Sequence, residues 1–179
     1  MGIYAPIIAD AAVEFDLDPC LIHAVITVES SWRKDAVSSC GAAGLMQIMP
    51  KTFVSMSQKL RLEKLDIWDP KQNIRCGAYY LRRQYDKFPT VRDKTERWKF
   101  AVACYNCGAG YVQLAMRLAE IRHGKSSAWW DVTKAYLRDE RCVIKGEDPD
   151  ADQVIAHVDR VMAELDRCKG LAVYAGKRP

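Results

Sequence analysis

Residues 29–52 read ESSWRKDAVSSCGAAGLMQIMPKT, and the stretch opens with an acidic residue, Glu29, at the end of the apolar run PCLIHAVITVES. In that run Leu21, Val25, Val28 and Trp32 form one helical stripe and Ile22 and Ile26 another, with His23 and Thr27 as the polar positions between them. A helix apolar nearly all round belongs at the centre of a helical core. A carboxyl group at the end of such a helix is costly to ionise, and a carboxyl that keeps its proton near neutral pH meets the requirement for a general acid. The plainer reading is a partly buried Glu bonded to nearby backbone or to Ser30 or Ser31. The segment after Val37 is rich in short residues: Ser38, Ser39, Gly41, Ala42, Ala43 and Gly44 let a backbone pass close to a ligand. Leu45-Met46-Gln47-Ile48-Met49-Pro50 then brings an amide and a thioether within a few residues.

Outward from this segment the repeating signal stays helical, with no sustained alternation that would mark a strand, so an all-α fold is expected. A first helix is expected over residues 5–16. Asp18-Pro19 launches the second, and Asp69-Pro70 repeats the device for a third, with Ile74, Ala78, Leu81 and Tyr85 on one face. Residues 94–106 carry Trp98, Val102 and Tyr105 on a stripe and break at Cys107-Gly108-Ala109-Gly110. Helical periodicity resumes from Tyr111 to His123. Residues 125–149 are less regular, and Trp129-Trp130 within them reads as core or lobe packing rather than a sugar platform. Val154, Val158, Val161, Leu165 and Cys168 mark a last amphipathic helix ending at Gly170. His23 and His123 read as ordinary helix residues rather than metal ligands.

The 179 residues fit one domain over 1–170 followed by a tail at 171–179. With 49% hydrophobic and 28% charged residues the chain reads as globular, and no apolar run approaches the roughly 18 residues of a membrane span, so no membrane insertion is expected. The 27 basic against 23 acidic residues give +4, a mild preference for an anionic partner such as a bacterial cell wall. No Lys/Arg block suggests nucleic acid. The start, MGIYAPIIADAAVEF, shows no signal peptide. Export by another route and an artificial start both fit that observation. Seven cysteines leave at least one unpaired within the chain.

Residues 29–52 closely resemble the first motif of the soluble lytic transglycosylases of glycoside hydrolase family 23, E-S-x-aromatic, A-x-S, G-A-x-G-L-M-Q and P-x-T. The matching residues are Glu29-Ser30 with Trp32, Ala36 with Ser38, Gly41-Ala42 with Gly44-Leu45-Met46-Gln47, and Pro50 with Thr52. Asp69-Pro70, Asn73-Ile74, Gly77 and Tyr80-Leu81 resemble the family's second motif, and Tyr105-Asn106 with Gly108, Gly110 and Val112 its third. Lys34 stands where the family usually has proline. Cys104 and Cys107 stand where it commonly has alanine, which favours small buried thiols over a redox or zinc pair. A late family Glu and Tyr would fall on Gln153 and His157.

The resemblance implies an all-α, lysozyme-like fold of the goose-type lysozyme and transglycosylase kind, with a substrate cleft. It further implies cleavage of the β-1,4 bond between N-acetylmuramic acid and N-acetylglucosamine by attack of the muramic acid C6 hydroxyl, giving a 1,6-anhydro product. Glu29 would act as acid and then base, and no metal or cofactor is implied. Ser38, Gln47, Met49, Tyr105 and Asn106 would contact the saccharide, with Tyr105 close to Glu29 and Asn106 alternatively holding the turn. Each has a structural reading beside this: Ser38 in a turn, Met49 in the core, Tyr105 on a helix stripe. The implied partner is the peptidoglycan glycan strand, in the periplasm or at the cell wall, with any targeting protein unidentified. A phage or virion-borne protein and a domain cut from a longer exported one both fit the missing leader. The rival readings are a hydrolase in which Asp35 or Asp66 positions water, and a wall-binding module without activity.

Overall fold

A computed structural model describes residues 2–171 and Tyr174. Its helices are α1 (Ala5–Phe15), α2 (Pro19–Ser30), α3 (Pro50–Lys59), α4 (Pro70–Tyr85), α5 (Lys94–Cys107), α6 (Ala109–His123), α7 (Trp130–Thr133) and α8 (Ala151–Gly170). Short 3₁₀ turns occupy Gly2–Tyr4, Gly124–Ala128 and Lys134–Arg138. Among the described residues the only extended pairing is in isolated bridges, Val37 to Ala43, Ala43 to Ile48 and Ile144 to Glu147.

Aspartates start α2, α4, α5 and α8 by accepting a backbone N–H that the first turn leaves without a partner. Asp18 accepts from Cys20 at 2.9 Å, Asp69 from Gln72 at 2.8 Å, Asp93 from Glu96 at 2.9 Å and Asp150 from Gln153 at 3.0 Å. Pro19 and Pro70 follow two of these caps, at the position where a missing N–H costs nothing.

The chain divides into two compact units, one formed by residues up to Arg82 together with those from Val161 onward, the other by Arg83–Arg160. The divisions fall inside α4 and α8. In the first unit α2 is central, as its composition requires: Leu21, Ile22, Ala24 and Ile26 are fully buried. Burial of each large side chain contributes roughly 1.5–3 kcal/mol. Ile8, Leu45, Met46, Ile74, Ala78 and Leu81 are buried in the same unit. A disulfide from Cys20 to Cys168 ties the start of α2 to the end of α8. Beside it, His23 lies buried with Nε2 3.7 Å from Glu164 and its ring edge-on to Trp32. Burial lowers the His23 pKa and Glu164 opposes that effect.

In the second unit α5 and α6 pack together as a pair broken at Gly108, whose φ of 90° is open to glycine and strained for other residues. Phe100 stacks on Phe88 at 5.2 Å and meets Trp130 edge-on at 5.6 Å, a T-shaped contact of the kind aromatic quadrupoles favour. Glu96 anchors the region beyond α6. One carboxylate oxygen accepts from the Trp130 N–H at 2.6 Å and the other from Lys99 at 2.7 Å.

Candidate functional site

Glu29 lies in the last turn of α2, half-buried, where residues 20–26 of the same helix are buried. The chain leaves that turn by an enforced route. Ser31 and Trp32 both take positive φ, 50° and 68°, a region that side chains with a Cβ rarely enter. Side-chain bonds hold them there. The Trp32 indole N–H donates to Thr27 Oγ1 at 3.1 Å, and the Thr27 hydroxyl donates to the His23 carbonyl at 2.9 Å. The buried Ser30 hydroxyl donates back to Ile26 at 3.2 Å, and the Ser30 carbonyl receives the Arg33 N–H at 3.1 Å. The end of the helix that carries Glu29 is therefore set by rigid neighbours rather than frayed.

The loop over residues 36–49 is knitted to itself and then clamped by one residue of α4. Ala43 and Ile48 exchange backbone bonds at 3.1 and 3.0 Å, and Gly44 N–H donates to Ala36 at 3.0 Å. Asn73, buried on α4, accepts the Met46 N–H at 2.8 Å and donates to the carbonyls of Ala43 at 3.1 Å and Ile67 at 2.9 Å. A Cβ on Gly44 would stand 2.2 Å from the Asn73 amide nitrogen, and one on Gly77 2.5 Å from Met46 Sδ. Both glycines are present because side chains of the loop and of α4 fill the space.

Ser38, Gln47 and Met49 sit on this frame. Ser38 Oγ accepts the Ala42 N–H at 3.0 Å, so it closes the turn while its own hydroxyl proton stays available. Gln47, at φ 47°, donates both amide hydrogens inward, to Ala36 and Gly44 at 2.9 Å each. Its carbonyl oxygen accepts no bond among the described residues. Met49 precedes α3 and is 44% exposed, so it is a surface residue and not core. The buried thioether is Met46, against Gly77.

Tyr105 and Asn106 belong to the second unit, half-buried in the last turn of α5 just before Gly108. The nearby thiols do not form a bond with each other. Cys104 is fully buried with its pKa pushed far up by desolvation, and burial holds Cys107 at about 12, so both are poor nucleophiles at neutral pH. Gln153 is exposed on α8. His157 is buried, and desolvation together with the Arg160 charge lowers it to about 4, leaving it neutral at pH 7. The His123 ring is hydrogen-bonded to Tyr136 at 2.9 Å.

Two features of the structure are not visible in the sequence. The Asn73 clamp joins residues far apart in the chain and carries no local pattern. Trp129-Trp130 is not uniformly packed, since Trp130 is 1% exposed but Trp129 is 54% exposed.

Among the described residues the structure is helical apart from isolated bridges, with a buried helix that ends at Glu29 and a glycine-clamped loop after it, and its solved neighbours place it in the lysozyme-like fold class. The family model described as the transglycosylase SLT domain matches residues 6–128, and the chain belongs to that family. It is 36% identical over 119 residues to a membrane-bound lytic murein transglycosylase F of Pasteurella multocida, which covers 66% of this chain and 23% of that protein. Among solved structures it is similar to an inactive mutant of the lytic transglycosylase Slt from Pseudomonas aeruginosa, with 26% identity, a TM-score of 0.69, and coverage of 92% of this chain and 24% of that one. The 70 kDa soluble lytic transglycosylase of Escherichia coli shares the fold, at 22% identity and a TM-score of 0.68 over 90% of this chain and 23% of that one. The chain thus spans about a quarter of the length of these relatives. Among its described residues no helix is long and apolar enough to cross a membrane.

Proposed function

We propose that residues 1–170 form the catalytic domain of a peptidoglycan lytic transglycosylase and that Glu29 is its acid and base. The observation that carries this reading is the placement of Glu29 in a fixed helix terminus directly before the clamped loop, in a chain of the SLT family. Glu29 protonates the oxygen that leaves the muramic acid C1. Once ionised, it takes the proton of the muramic acid C6 hydroxyl as that oxygen closes on C1, giving the 1,6-anhydro sugar. The nucleophile is tethered to the reacting centre, so its effective concentration is high and no second carboxylate is needed to activate water. The sugar N-acetyl group shields the oxocarbenium-like centre in place of a carboxylate nucleophile.

Ser38, Gln47, Met49, Tyr105 and Asn106 bind the saccharide in this reading. The geometry suits three of them to distinct tasks. Ser38 donates a hydroxyl hydrogen, Gln47 offers a carbonyl acceptor, and Met49 supplies an exposed polarizable surface for a sugar face. The protein acts at the bacterial cell wall or in the periplasm. As to the hydrolase reading, Asp66 already uses one carboxylate oxygen to accept the Trp68 N–H at 2.9 Å.

Mass spectrometry of fragments released from purified peptidoglycan, by the protein and by Glu29→Gln, tests the proposal. Fragments ending in 1,6-anhydromuramic acid, one water lighter than reducing ends and absent with Glu29→Gln, are the expected result. Reducing ends would make the protein a hydrolase. An active Glu29→Gln protein would remove Glu29 from the mechanism, and an inert parent protein would leave a binding module.

A further inference from the structure

The second unit holds a recess of about 1090 Å³ between the segment after α4, the middle of α6 and the turn before α7. Phe88 and Val91, both buried, lie at its floor, and Met116 and the exposed Trp129 line it. Along α5 it is remote from Tyr105. Glu96 lines the recess nine residues earlier, which at 1.5 Å rise per residue is roughly 13 Å away.

Trp129 is exposed on a rigid backbone. Its N–H donates to Ser126 at 3.1 Å, its carbonyl accepts from Val132 and Thr133 at 3.1 Å each, and the next N–H is held by Glu96. An apolar ring carried on a backbone that is already held needs no backbone ordering when a flat partner covers it. The charges of the recess are unbalanced once internal bonds are assigned. Asp93 caps α5, Glu96 is bonded to Lys99 and the Trp130 N–H, and Lys87 donates to Gln84. Arg92, Arg117 and Lys125 are all exposed and without an ion-pair partner among the described residues, and Lys87 keeps its charge because Gln84 is neutral; with Glu96 paired to Lys99, these four cations face two carboxylates, Asp93 and Glu120.

We infer that this recess is a second wall-binding site, in which a sugar ring of the glycan strand lies on Trp129 and carboxylates of its peptide stem are held by Arg92, Arg117 and Lys125. The inference rests on the peptidoglycan reading above. The apolar face of a pyranose matches the indole ring, and a carboxylate-bearing peptide matches an excess of unpaired cations, with Arg able to hold it through two parallel bonds. Glycan bound here is retained while the strand is cut elsewhere.

The test is co-sedimentation of the full chain, carrying Glu29→Gln to prevent cutting, with purified sacculi and with glycan strands stripped of peptide. Trp129→Ala is expected to weaken binding to both on the order of tenfold, as for removal of a central aromatic anchor, and Trp129→Tyr to restore most of it. Replacing Arg92, Arg117 and Lys125 together by Gln weakens binding to intact sacculi only, and added salt weakens the parent in the same direction. With Glu29 intact, turnover of a soluble tetrasaccharide is expected to be the same for Trp129→Ala as for the parent, which confirms that the variant is folded. A parent that sediments and a Trp129→Ala variant that sediments equally well overturn the site while leaving the transglycosylase reading in place. A parent that neither cuts nor sediments overturns both.

Discussion

Gly44→Ala tests whether the loop after Glu29 depends on the Asn73 clamp, and Gly41→Ala is its internal control. The two glycines have nearly the same backbone, φ 79° and 83°, so an added Cβ brings the same left-handed penalty at each, roughly 1–2 kcal/mol. They differ in what the Cβ meets. At Gly41 nothing lies within 4 Å, whereas at Gly44 the new atom would stand 2.2 Å from Asn73 Nδ2, 2.7 Å from its Cγ and 3.0 Å from the Ile67 carbonyl. Asn73 must withdraw, and with it three hydrogen bonds, two of them buried, worth about 1 kcal/mol each in net terms. Gly44→Ala should therefore cost about 4–5 kcal/mol, a large part of the roughly 5–15 kcal/mol that holds a domain together. In urea, with a slope near 2 kcal/mol per molar, the unfolding midpoint of Gly44→Ala should fall by about 2 M and that of Gly41→Ala by less than about 1 M. Adding Asn73→Ala to Gly44→Ala should cost little more, because the clamp is already open. Equal midpoints for the two alanine variants, or full additivity with Asn73→Ala, would show that the clamp does not hold the loop.

Reduction of the Cys20–Cys168 bond, or Cys168→Ser, should lower stability by up to about 5 kcal/mol on the chain-entropy estimate for a separation of 148 residues, read as a drop in the melting temperature; an unchanged melt would count against it. His157 is held at about 4 by burial, well below the ordinary histidine value. Between those two values the unfolded chain takes up a proton that the folded chain refuses, so stability falls on acidification from about pH 6.5 to 4, by up to roughly 3 kcal/mol. His157→Phe should flatten that slope in urea midpoints measured across the range, and an unaltered slope would show that other groups set it.

The parts of the fold legible in the sequence are those set by near neighbours. Asp18-Pro19 and Asp69-Pro70 announce helices because the cap and the helix it starts are a few residues apart, and both aspartates make the expected bonds. The stripe Ile74, Ala78, Leu81 and Tyr85 is buried as its spacing requires. Helix α3 is not among the expected helices, because Phe53 and Met56 are its only buried apolar residues and give too short a pattern to stand out. The candidate site was readable through its motif but not through its support. Asn73 reaches 27 residues back to Met46, and no periodicity records such a bond. Trp129 and Trp130 are the same residue type side by side. The buried one is Trp130, whose ring meets Phe100, 30 residues earlier, and whose backbone N–H is held by Glu96. Pairing among the cysteines is likewise decided by where the ends of α2 and α8 meet.

The bond between those two ends also changes what breaking the chain would mean. Everything between Cys20 and Cys168 becomes a closed covalent loop. A protease that cuts once in an exposed stretch such as residues 63–66 opens the loop without releasing a fragment. The nicked molecule keeps its mass on a gel until a reductant is added, and its severed halves stay at the high local concentration that favours re-docking. Wherever the bond stays oxidised, that gives tolerance to damage as well as stability.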